Sequence, residues 1–258
     1  MSDFDKRASL MIDSGVGGIS VLARASQLLP EENFIYYADI ANAPYGEKQP
    51  DQIVKLLHRI IGEYAASDIK AIILACNTAT SAAAAVLRSE LSIPVIGMEP
   101  ALKPAVMESE GQILVIATSL TLREEKFRKL SEKYGTGKDI VSLPCPGLME
   151  LVEVDPAGDA VEDYLYNLLT PYADTAESLV LGCTHYVFLR PLIQKMFPKF
   201  RIYDGNDGVV HHLAHVLEEN GATGGSGQID INCSFTAPDE RSAYLEKCRQ
   251  MFAFGREL

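Results

Sequence analysis

The sequence predicts an α/β fold of two pseudo-symmetric lobes, each with a largely parallel sheet flanked by helices. Short apolar runs alternate with amphipathic segments along most of the 258 residues, which is typical of repeated strand–helix units. Two strings, AIILACNTAT around Cys76 and SLVLGCTHYV around Cys183, share one order of residue types and so indicate two similar halves. The length allows two lobes of ordinary size. We expect the active site in the cleft between them.

The individual elements follow from apolar runs that do not alternate with polar residues, as in strands covered by helices on both faces. In the first half, the strands SLMID, FIYYAD, AIILA and PVIGM are followed in turn by the helices GGISVLARASQLL, DQIVKLLHRIIGEYA, ATSAAAAVLRSEL and ALKPAVMES. In the second half, ILVIAT, IVSLP and SLVLG alternate with TLREEKFRKLSEKY, a helical stretch from about Asp159, and YVFLRPLIQKMF. Such alternation predicts parallel pairing in both sheets.

The domain boundaries are predicted at two loops. The segment 97–104, GMEPALKP, leads into the second lobe, and 203–208, YDGNDG, leads back. The first lobe is therefore expected to comprise 1–98 and 208–258, and the second 99–207. The segment 220–228, NGATGGSGQ, is rich in glycine and small polar residues, which predicts a flexible connection before a terminal strand and helix.

Composition and charge exclude several classes of protein. The formal net charge is -12 and the sequence pI about 4.9, so binding to nucleic acid is disfavoured. No apolar run reaches the length of a membrane span, and the first residues do not resemble a secretory leader. Five cysteines without CxxC spacing indicate neither a disulfide framework nor a zinc ribbon. We expect a cytoplasmic protein with reduced thiols and no nucleic-acid or membrane partner.

Cys76 and Cys183 are the strongest candidates for chemistry. Each follows an apolar strand and precedes a helical pattern, where backbone N–H groups and the helix dipole favour a thiolate. Two thiols on opposite faces of a small molecule could remove a proton from one side and return it on the other, as inversion of a stereocentre requires. The alternative is that both are ordinary buried cysteines, but their matched contexts favour the chemical interpretation.

Polar residues at the other strand ends complete a common rim, which includes Asp13, Asp39 and Thr118. Asp13 opens DSGVGG, whose glycines allow a tight turn and close approach of backbone to an anion, although their spacing is not the dinucleotide fingerprint. Asp13 could bind an ammonium group, orient a thiol or cap a helix. Hydroxyl and amide side chains suited to carboxylate recognition, and equally to helix capping, are Ser14, Asn77, Thr78, Thr118, Thr121 and Thr184.

His185 and Glu153 are candidates for proton relay. Histidine titrates near neutral pH, but a hydrogen-bonded core imidazole is the commoner role. Glu153 could pair with His185 or lie on the surface. Cys76, Cys183 and His185 could in principle bind zinc, but their spacing gives little support, so we expect neither metal nor cofactor.

Four strings together, DSGVGG, PYG at 44–46, ACNTAT and GCTHY, resemble the cofactor-independent glutamate racemases of the aspartate/glutamate racemase superfamily. The resemblance spans most of the chain. It implies direct exchange of the α-proton between L- and D-glutamate, the latter being used in bacterial peptidoglycan synthesis. Cys76 then matches the thiol acting on D-glutamate and Cys183 the thiol acting on L-glutamate.

The same resemblance implies further residue roles, and it implies that the protein forms a homodimer. It implies assisting roles for Asp13, Glu153 and His185. The substrate-binding shell that it implies is Ser14, Pro44, Tyr45, Gly46, Asn77, Thr78, Thr118, Thr121 and Thr184.

Two positions depart from the family pattern, and other functions stay open. Val187 follows GCTHY where many members have proline, and Glu99 adds a charge to a segment that is often uncharged. Glu99 leaves aspartate or another acidic amino acid open as substrate. A thiol hydrolase or transferase with one essential cysteine and His185 as base is the main alternative. A noncatalytic amino-acid-binding protein is a second one.

Overall fold

The computed structural model describes residues 6–123, 125–135, 137–234 and 241–258. They form two compact units, one extending to Met98 and resuming over Asn206–Glu257, the other spanning Glu99–Gly205. The chain re-enters the first unit at Asn206, because a helix begins there. This is two residues before the position expected from YDGNDG (206 against 208).

The first unit is built on a five-stranded parallel sheet of order β4-β3-β1-β2-β9. Its central strands are buried at every position, as expected for strands with helices on both faces. Its strands are β1 (Ala8–Asp13), β2 (Phe34–Ala38), β3 (Ile69–Leu74), β4 (Val95–Gly97) and β9 (Ile229–Cys233). Its helices are α1 (Ile19–Leu28), α2 (Pro50–Gly62), α3 (Asn77–Glu90), α10 (Asn206–Glu219) and α11 (Arg241–Gly255), with 3₁₀ turns at Ile40–Asn42 and Tyr45–Glu47.

The second unit is built on a four-stranded parallel sheet of order β6-β5-β7-β8. Its strands are β5 (Gln112–Ala117), β6 (Ile140–Pro144), β7 (Ala176–Leu181) and β8 (Arg201–Tyr203). Its helices are α4 (Leu102–Glu108), α5 (Ser119–Arg123), α6 (Glu125–Tyr134), α7 (Leu148–Val154), α8 (Asp159–Leu169) and α9 (Arg190–Met196), with 3₁₀ turns at Thr170–Tyr172 and Thr184–Leu189.

Both units share one topology. Numbered within each unit, the first four strands of both sheets have the order 4-3-1-2. Even an irregularity is repeated, since the register shifts at the start of β1 against β3 and at the start of β5 against β7. The two parallel sheets confirm the predicted fold class. In each unit the strand that precedes a candidate thiol pairs with the unit's first strand.

Several local features differ from the sequence-based expectations. Strand β8 and helix α7 were not predicted, because each is short and α7 has no apolar run of its own. The first residues of YVFLRPLIQKMF form a 3₁₀ turn, and α9 begins only at Arg190. None of the helices among the described residues is long and apolar enough to cross a membrane.

The segment 220–228 was predicted to be a flexible connection, and the structure corrects this. Asn33 Oδ1 accepts hydrogen bonds from the backbone N–H of Ser226 and of Gln228 at 2.9 and 3.1 Å. The buried ammonium of Lys70 pairs with Glu32 and donates to Gly224 O at 2.7 Å. Glycine here serves a hydrogen-bonded loop with positive φ at Gly224 (86°), which L side chains rarely adopt.

Candidate active site

Cys76 lies where β3 meets α3. It is the N-cap of α3 in an extended conformation (φ -76°, ψ 126°), and it is buried. The Ser14 hydroxyl lies 3.7 Å from its Sγ. Asn77 and Thr78 form the first turn of α3, directly after the thiol. The predicted position at a strand end and a helix start is confirmed for this cysteine.

Asp13 ends β1 and is buried. Its Oδ1 accepts the backbone N–H of Gly15 at 2.8 Å, which closes the turn in DSGVGG. None of the glycines in this loop has a positive φ. A Cβ on Gly18 would instead lie 2.8 Å from Asp13 Cβ and 2.9 Å from Ala75 Cβ. Glycine is therefore needed at position 18 for close packing of the helix start against Asp13 and not for an unusual backbone angle.

Asp39 organises the loop that carries Pro44, Tyr45 and Gly46. It is fully buried and accepts hydrogen bonds from the Tyr45 hydroxyl at 2.7 Å, Asn42 Nδ2 at 2.9 Å and the Ser234 hydroxyl at 2.7 Å. Burial, together with the negative charge of Asp39, holds the pKa of Tyr45 far above its usual value. Tyr45 is therefore a neutral donor.

Sequence reasoning placed Asp39 on the rim but gave it no role. Its partners come from distant parts of the chain, and only the fold brings Ser234 beside it. The one sequence signal was its position directly after FIYYA.

Cys183 occupies the equivalent position in the second unit. It is the N-cap of the 3₁₀ turn Thr184–Leu189 and is partly exposed. The expected α-helix is absent here, and so is much of the dipole that a longer helix would supply. Gly182 lets the strand end approach β5, because a Cβ there would lie 2.8 Å from Ala117 Cβ.

His185 links Cys183 to Glu153. Its Nδ1 lies 3.8 Å from Cys183 Sγ, and its Nε2 lies 3.0 Å from Glu153 Oε1 on α7. The imidazole is buried, which alone would lower its pKa, but hydrogen bonds to Cys183 and Glu153 and their negative charges outweigh burial and raise the pKa to about 10. The core-imidazole interpretation is confirmed, since His185 is buried and bonded on both ring nitrogens, whereas its role in proton relay stays a prediction.

Two threonines follow β5. The hydroxyls of Thr118 and Thr121 lie 2.9 Å apart, and Thr118 Oγ1 accepts the backbone N–H of Thr121 at 3.2 Å. Thr118 therefore caps α5, so the capping interpretation holds. Thr184 is buried in the turn that Cys183 begins.

Cys145, which sequence reasoning left without a role, directly follows β6, at the same sheet edge as Thr118 and Cys183. Its backbone N–H bonds Ala117 O at 3.0 Å, and its thiol donates to Leu143 O at 3.4 Å. Burial, and next the charge of Cys183, raise the pKa of Cys145 to about 12. This thiol is neutral at physiological pH.

The structure thus assembles two groups of predicted residues, one in each unit. The group of the first unit comprises Asp13, Ser14, Pro44, Tyr45, Gly46, Cys76, Asn77 and Thr78. The group of the second unit comprises Thr118, Thr121, Glu153, Cys183, Thr184 and His185. Each has a thiol that begins a helical turn, at the carboxyl edge of a parallel sheet, where ligands of open α/β sheets bind.

Comparisons with known proteins identify a family that this chain matches. The model of the Asp/Glu/Hydantoin racemase family matches residues 19–213. A glutamate racemase of Clostridium perfringens is 46% identical over 240 residues, covering 90% of this chain and 92% of that protein.

Solved structures agree as well. Escherichia coli glutamate racemase, solved with L-glutamate and the activator UDP-MurNAc-ala, superposes with a TM-score of 0.82 and 28% identity, covering 95% of each chain. Glutamate racemase from Francisella tularensis, solved with D-glutamate, gives a TM-score of 0.77 and 25% identity, covering 99% of this chain and 95% of that one.

Proposed function

The chain belongs to the Asp/Glu/Hydantoin racemase family, and we infer that it is a glutamate racemase in which Cys76 and Cys183 transfer protons at the α-carbon without a cofactor. Relatives at 46% identity carry this name, and similar structures were solved with L-glutamate and with D-glutamate. The product D-glutamate would supply peptidoglycan synthesis. The observation that carries the mechanism is the repeated topology, which ends the equivalent strand of each unit in a thiol that begins a helical turn.

The reaction needs one thiolate and one thiol on opposite faces of the α-carbon. In the direction from D- to L-glutamate, the Cys76 thiolate takes the α-proton and the Cys183 thiol supplies one to the other face. In the reverse direction the roles are exchanged. After a turnover from D- to L-glutamate, Cys76 is the thiol and Cys183 the thiolate. This is the state that the reverse direction requires.

His185 and Glu153 are proposed to assist Cys183. A histidine with a pKa of about 10 carries a proton at neutral pH, and an imidazolium stabilises a neighbouring thiolate. Glu153 accepts the other ring N–H at 3.0 Å, which fixes the ring orientation and balances its charge. The pair therefore places beside Cys183 a positive charge that Glu153 balances.

Asp13 and Ser14 are proposed to assist Cys76. The Ser14 hydroxyl, 3.7 Å from Sγ, can donate to the thiolate form. The carboxylate of Asp13, at the end of the neighbouring strand, suits an ammonium group. Cys76 thus has a neutral hydroxyl and a carboxylate as its proposed partners, whereas Cys183 has a positively charged imidazolium.

The α-carboxylate and side-chain carboxylate of glutamate need donors. The chain has a net charge of -12, so its overall charge does not attract an anionic substrate. Neutral N–H and O–H groups at the site can supply the hydrogen bonds that the two carboxylates need. We propose that this shell consists of Ser14, Pro44, Tyr45, Gly46, Asn77, Thr78, Thr118, Thr121 and Thr184.

The test is solvent exchange. In deuterated water, the reduced protein with no added cofactor is expected to convert each glutamate enantiomer into the other, with deuterium at the α-carbon of the product. Cys76→Ala and Cys183→Ala should each abolish inversion. Normal turnover in either variant would contradict the two-thiol assignment and favour a one-cysteine mechanism.

Aspartate in the same assay decides the substrate class. We expect little inversion of aspartate, because a shell fitted to the longer side chain leaves the shorter carboxylate unbound. Faster turnover of aspartate than of glutamate would move the proposal to another acidic amino acid. Binding of glutamate with no exchange would identify a noncatalytic binding protein.

We also propose a homodimer and a cytoplasmic location. Related enzymes commonly dimerise, and catalytic thiols require a reducing compartment. Sedimentation at several protein concentrations and fractionation of the producing cells test these two proposals.

A further inference from the structure

Cys233 and Cys248 form a pair of thiols outside the proposed catalytic groups. Cys233 is the last residue of β9, and Cys248 lies on α11. Their sulfur atoms are 3.9 Å apart, and both side chains are buried, Cys233 at 8% exposure and Cys248 at 0%. The proposed racemisation uses neither thiol.

Two features of the pair favour oxidation to a disulfide, namely the short distance between the sulfurs and the lowered pKa of Cys233. The pKa of Cys233 is lowered, chiefly because a hydrogen bond from Cys248 stabilises its thiolate; burial opposes this effect, and the positive charge of Arg241 adds to it. A thiolate with a second thiol beside it is the arrangement in which oxidation of one sulfur is followed by closure to a disulfide.

We propose that Cys233 and Cys248 are an oxidation site that a peroxide converts into an intrachain disulfide. The Cys233 thiolate attacks one peroxide oxygen, the O–O bond breaks, and the products are a sulfenic acid and, after proton uptake, water. Cys248 sulfur then attacks the Cys233 sulfur, the S–O bond breaks, and a second water leaves with the Cys248 proton. Two thiols and one hydrogen peroxide thus give one disulfide and two waters.

Closure of this disulfide would displace Ser234, which is bonded to Asp39 and so to the loop that carries Pro44, Tyr45 and Gly46. The two sulfurs must approach to about 2.0 Å, and Cys233 adjoins Ser234 directly. The Ser234 hydroxyl donates to Asp39 Oδ1 at 2.7 Å and accepts the backbone N–H of Ala41 at 3.1 Å. Asp39 in turn accepts the Tyr45 hydroxyl.

The position of β9 in the sheet allows Cys233 and Ser234 to move when the disulfide closes. In the part of the chain that the structure describes, it is an edge strand whose one pairing partner is β2, so a movement at its carboxyl end disturbs that ladder. Tyr36 on β2 gives a second connection. It donates its hydroxyl to Gly15 O at 2.7 Å, and its pKa is raised first by burial, then by the charge of Asp13 and next by the charges of the two thiols. This consequence for activity, unlike the disulfide itself, rests on the proposed function.

The disulfide is tested by mass spectrometry without substrate. The reduced full-length protein is treated with limiting hydrogen peroxide, quenched with N-ethylmaleimide and digested. We expect a linked peptide pair containing Cys233 and Cys248, absent after dithiothreitol and absent from Cys248→Ala. Cys145→Ala, a matched variant at another buried thiol, should still form it. Failure to form this link, or stable sulfinic acid at Cys233 with Cys248 still alkylated, would overturn the proposal.

The coupling is tested by activity. The oxidised parent is expected to lose about tenfold or more in kcat/KM for glutamate, because small displacements of binding groups slow catalysis. Reduction with dithiothreitol should restore kcat/KM. Cys248→Ala, treated identically, should keep its activity, which controls for oxidation of Cys76 and Cys183. Equal losses in parent and variant would overturn the coupling. A protein with no racemase activity would refute the proposed function and leave the peptide result standing.

Discussion

His185 and Ser14 give the two thiols different surroundings. Cys183 faces an imidazole that also binds Glu153, whereas Cys76 faces a neutral hydroxyl. A proton held on His185 is therefore part of the resting site in the second unit. Because burial alone would lower the pKa of this imidazole, the two hydrogen bonds must be intact for the proton to stay.

The proton on His185 makes the stability of the fold depend on pH. The folded pKa is about 10, above the value of about 6.5 in an unfolded chain. The stabilisation is complete below that lower value and declines by about 1.4 kcal/mol per pH unit until pH reaches the folded pKa.

Urea unfolding followed by circular dichroism between pH 7 and 9 measures this decline. His185→Gln serves as the matched control, because it removes the titrating ring and so should remove the decline. Identical pH dependence in parent and variant would show that His185 is not protonated in the folded state.

His185 should also affect catalysis on one side of the substrate. His185→Asn removes the partner of Cys183, so kcat/KM is expected to fall by about 10²- to 10⁴-fold. The fall must be the same in both directions, because the two enantiomers have equal free energies. The asymmetry appears in the isotope effect, which should grow for α-deuterated L-glutamate and not for α-deuterated D-glutamate. Equal growth for both would indicate a purely structural role.

At the scale of elements, Gly182, the last residue before Cys183, allows the end of β7 to pack closely against β5. A Cβ on Gly182 would meet Ala117 Cβ at 2.8 Å and Ile116 O at 3.0 Å, and the backbone of β5 cannot move aside easily. Gly208 on α10 has open space where its Cβ would be. Gly182→Ala and Gly208→Ala are therefore a matched pair of substitutions, of which only the first creates a clash.

Gly182→Ala is expected to push Cys183 out of place, with a loss of about 1 to 3 kcal/mol in stability and of about 10²-fold in kcat/KM. Gly208→Ala should leave activity unchanged and raise the free energy of unfolding by up to about 1 kcal/mol. Urea unfolding and initial rates measure both quantities. Unchanged activity in Gly182→Ala would show that the end of β7 does not position the thiol.

Elements were predictable where their apolar runs were long. The strands before Cys76 and Cys183 were recognisable because AIILA and SLVLG are continuous apolar runs. Strand β8 spans only Arg201–Tyr203 and is partly exposed, so it carried no such pattern. The loop 220–228 was misjudged because glycine composition does not reveal the hydrogen bonds to Asn33.

For the whole molecule, the sequence marked Cys76 and Cys183 as candidates and offered a Glu153–His185 pair as one alternative, but it gave no partner for Asp39. The repeat was readable because the two cysteine strings share an order of residue types. The contacts of Asp39 with Ser234, and of His185 with Glu153, join residues far apart in the chain. Such contacts depend on strand order and register, which periodicity alone does not determine.

A buried ion pair lies in the first unit. The Lys70 side chain is fully buried, pairs with Glu32 and donates to Gly224 O. Lys70→Met leaves the Glu32 carboxylate without its cation, so a loss of about 3 to 5 kcal/mol is expected. Lys55→Met, on the exposed side of α2, should cost little. Equal effects in urea unfolding would show that the pair is not structurally important.

Single-thiol variants in deuterated water test the central claim most directly, because each keeps one of the two bases. Cys76→Ala should exchange the α-proton of L-glutamate for deuterium without inversion and leave D-glutamate untouched. Cys183→Ala should do the opposite. Exchange of the same enantiomer by both variants, or inversion by either, would contradict the assignment of Cys76 and Cys183 to opposite faces of the α-carbon.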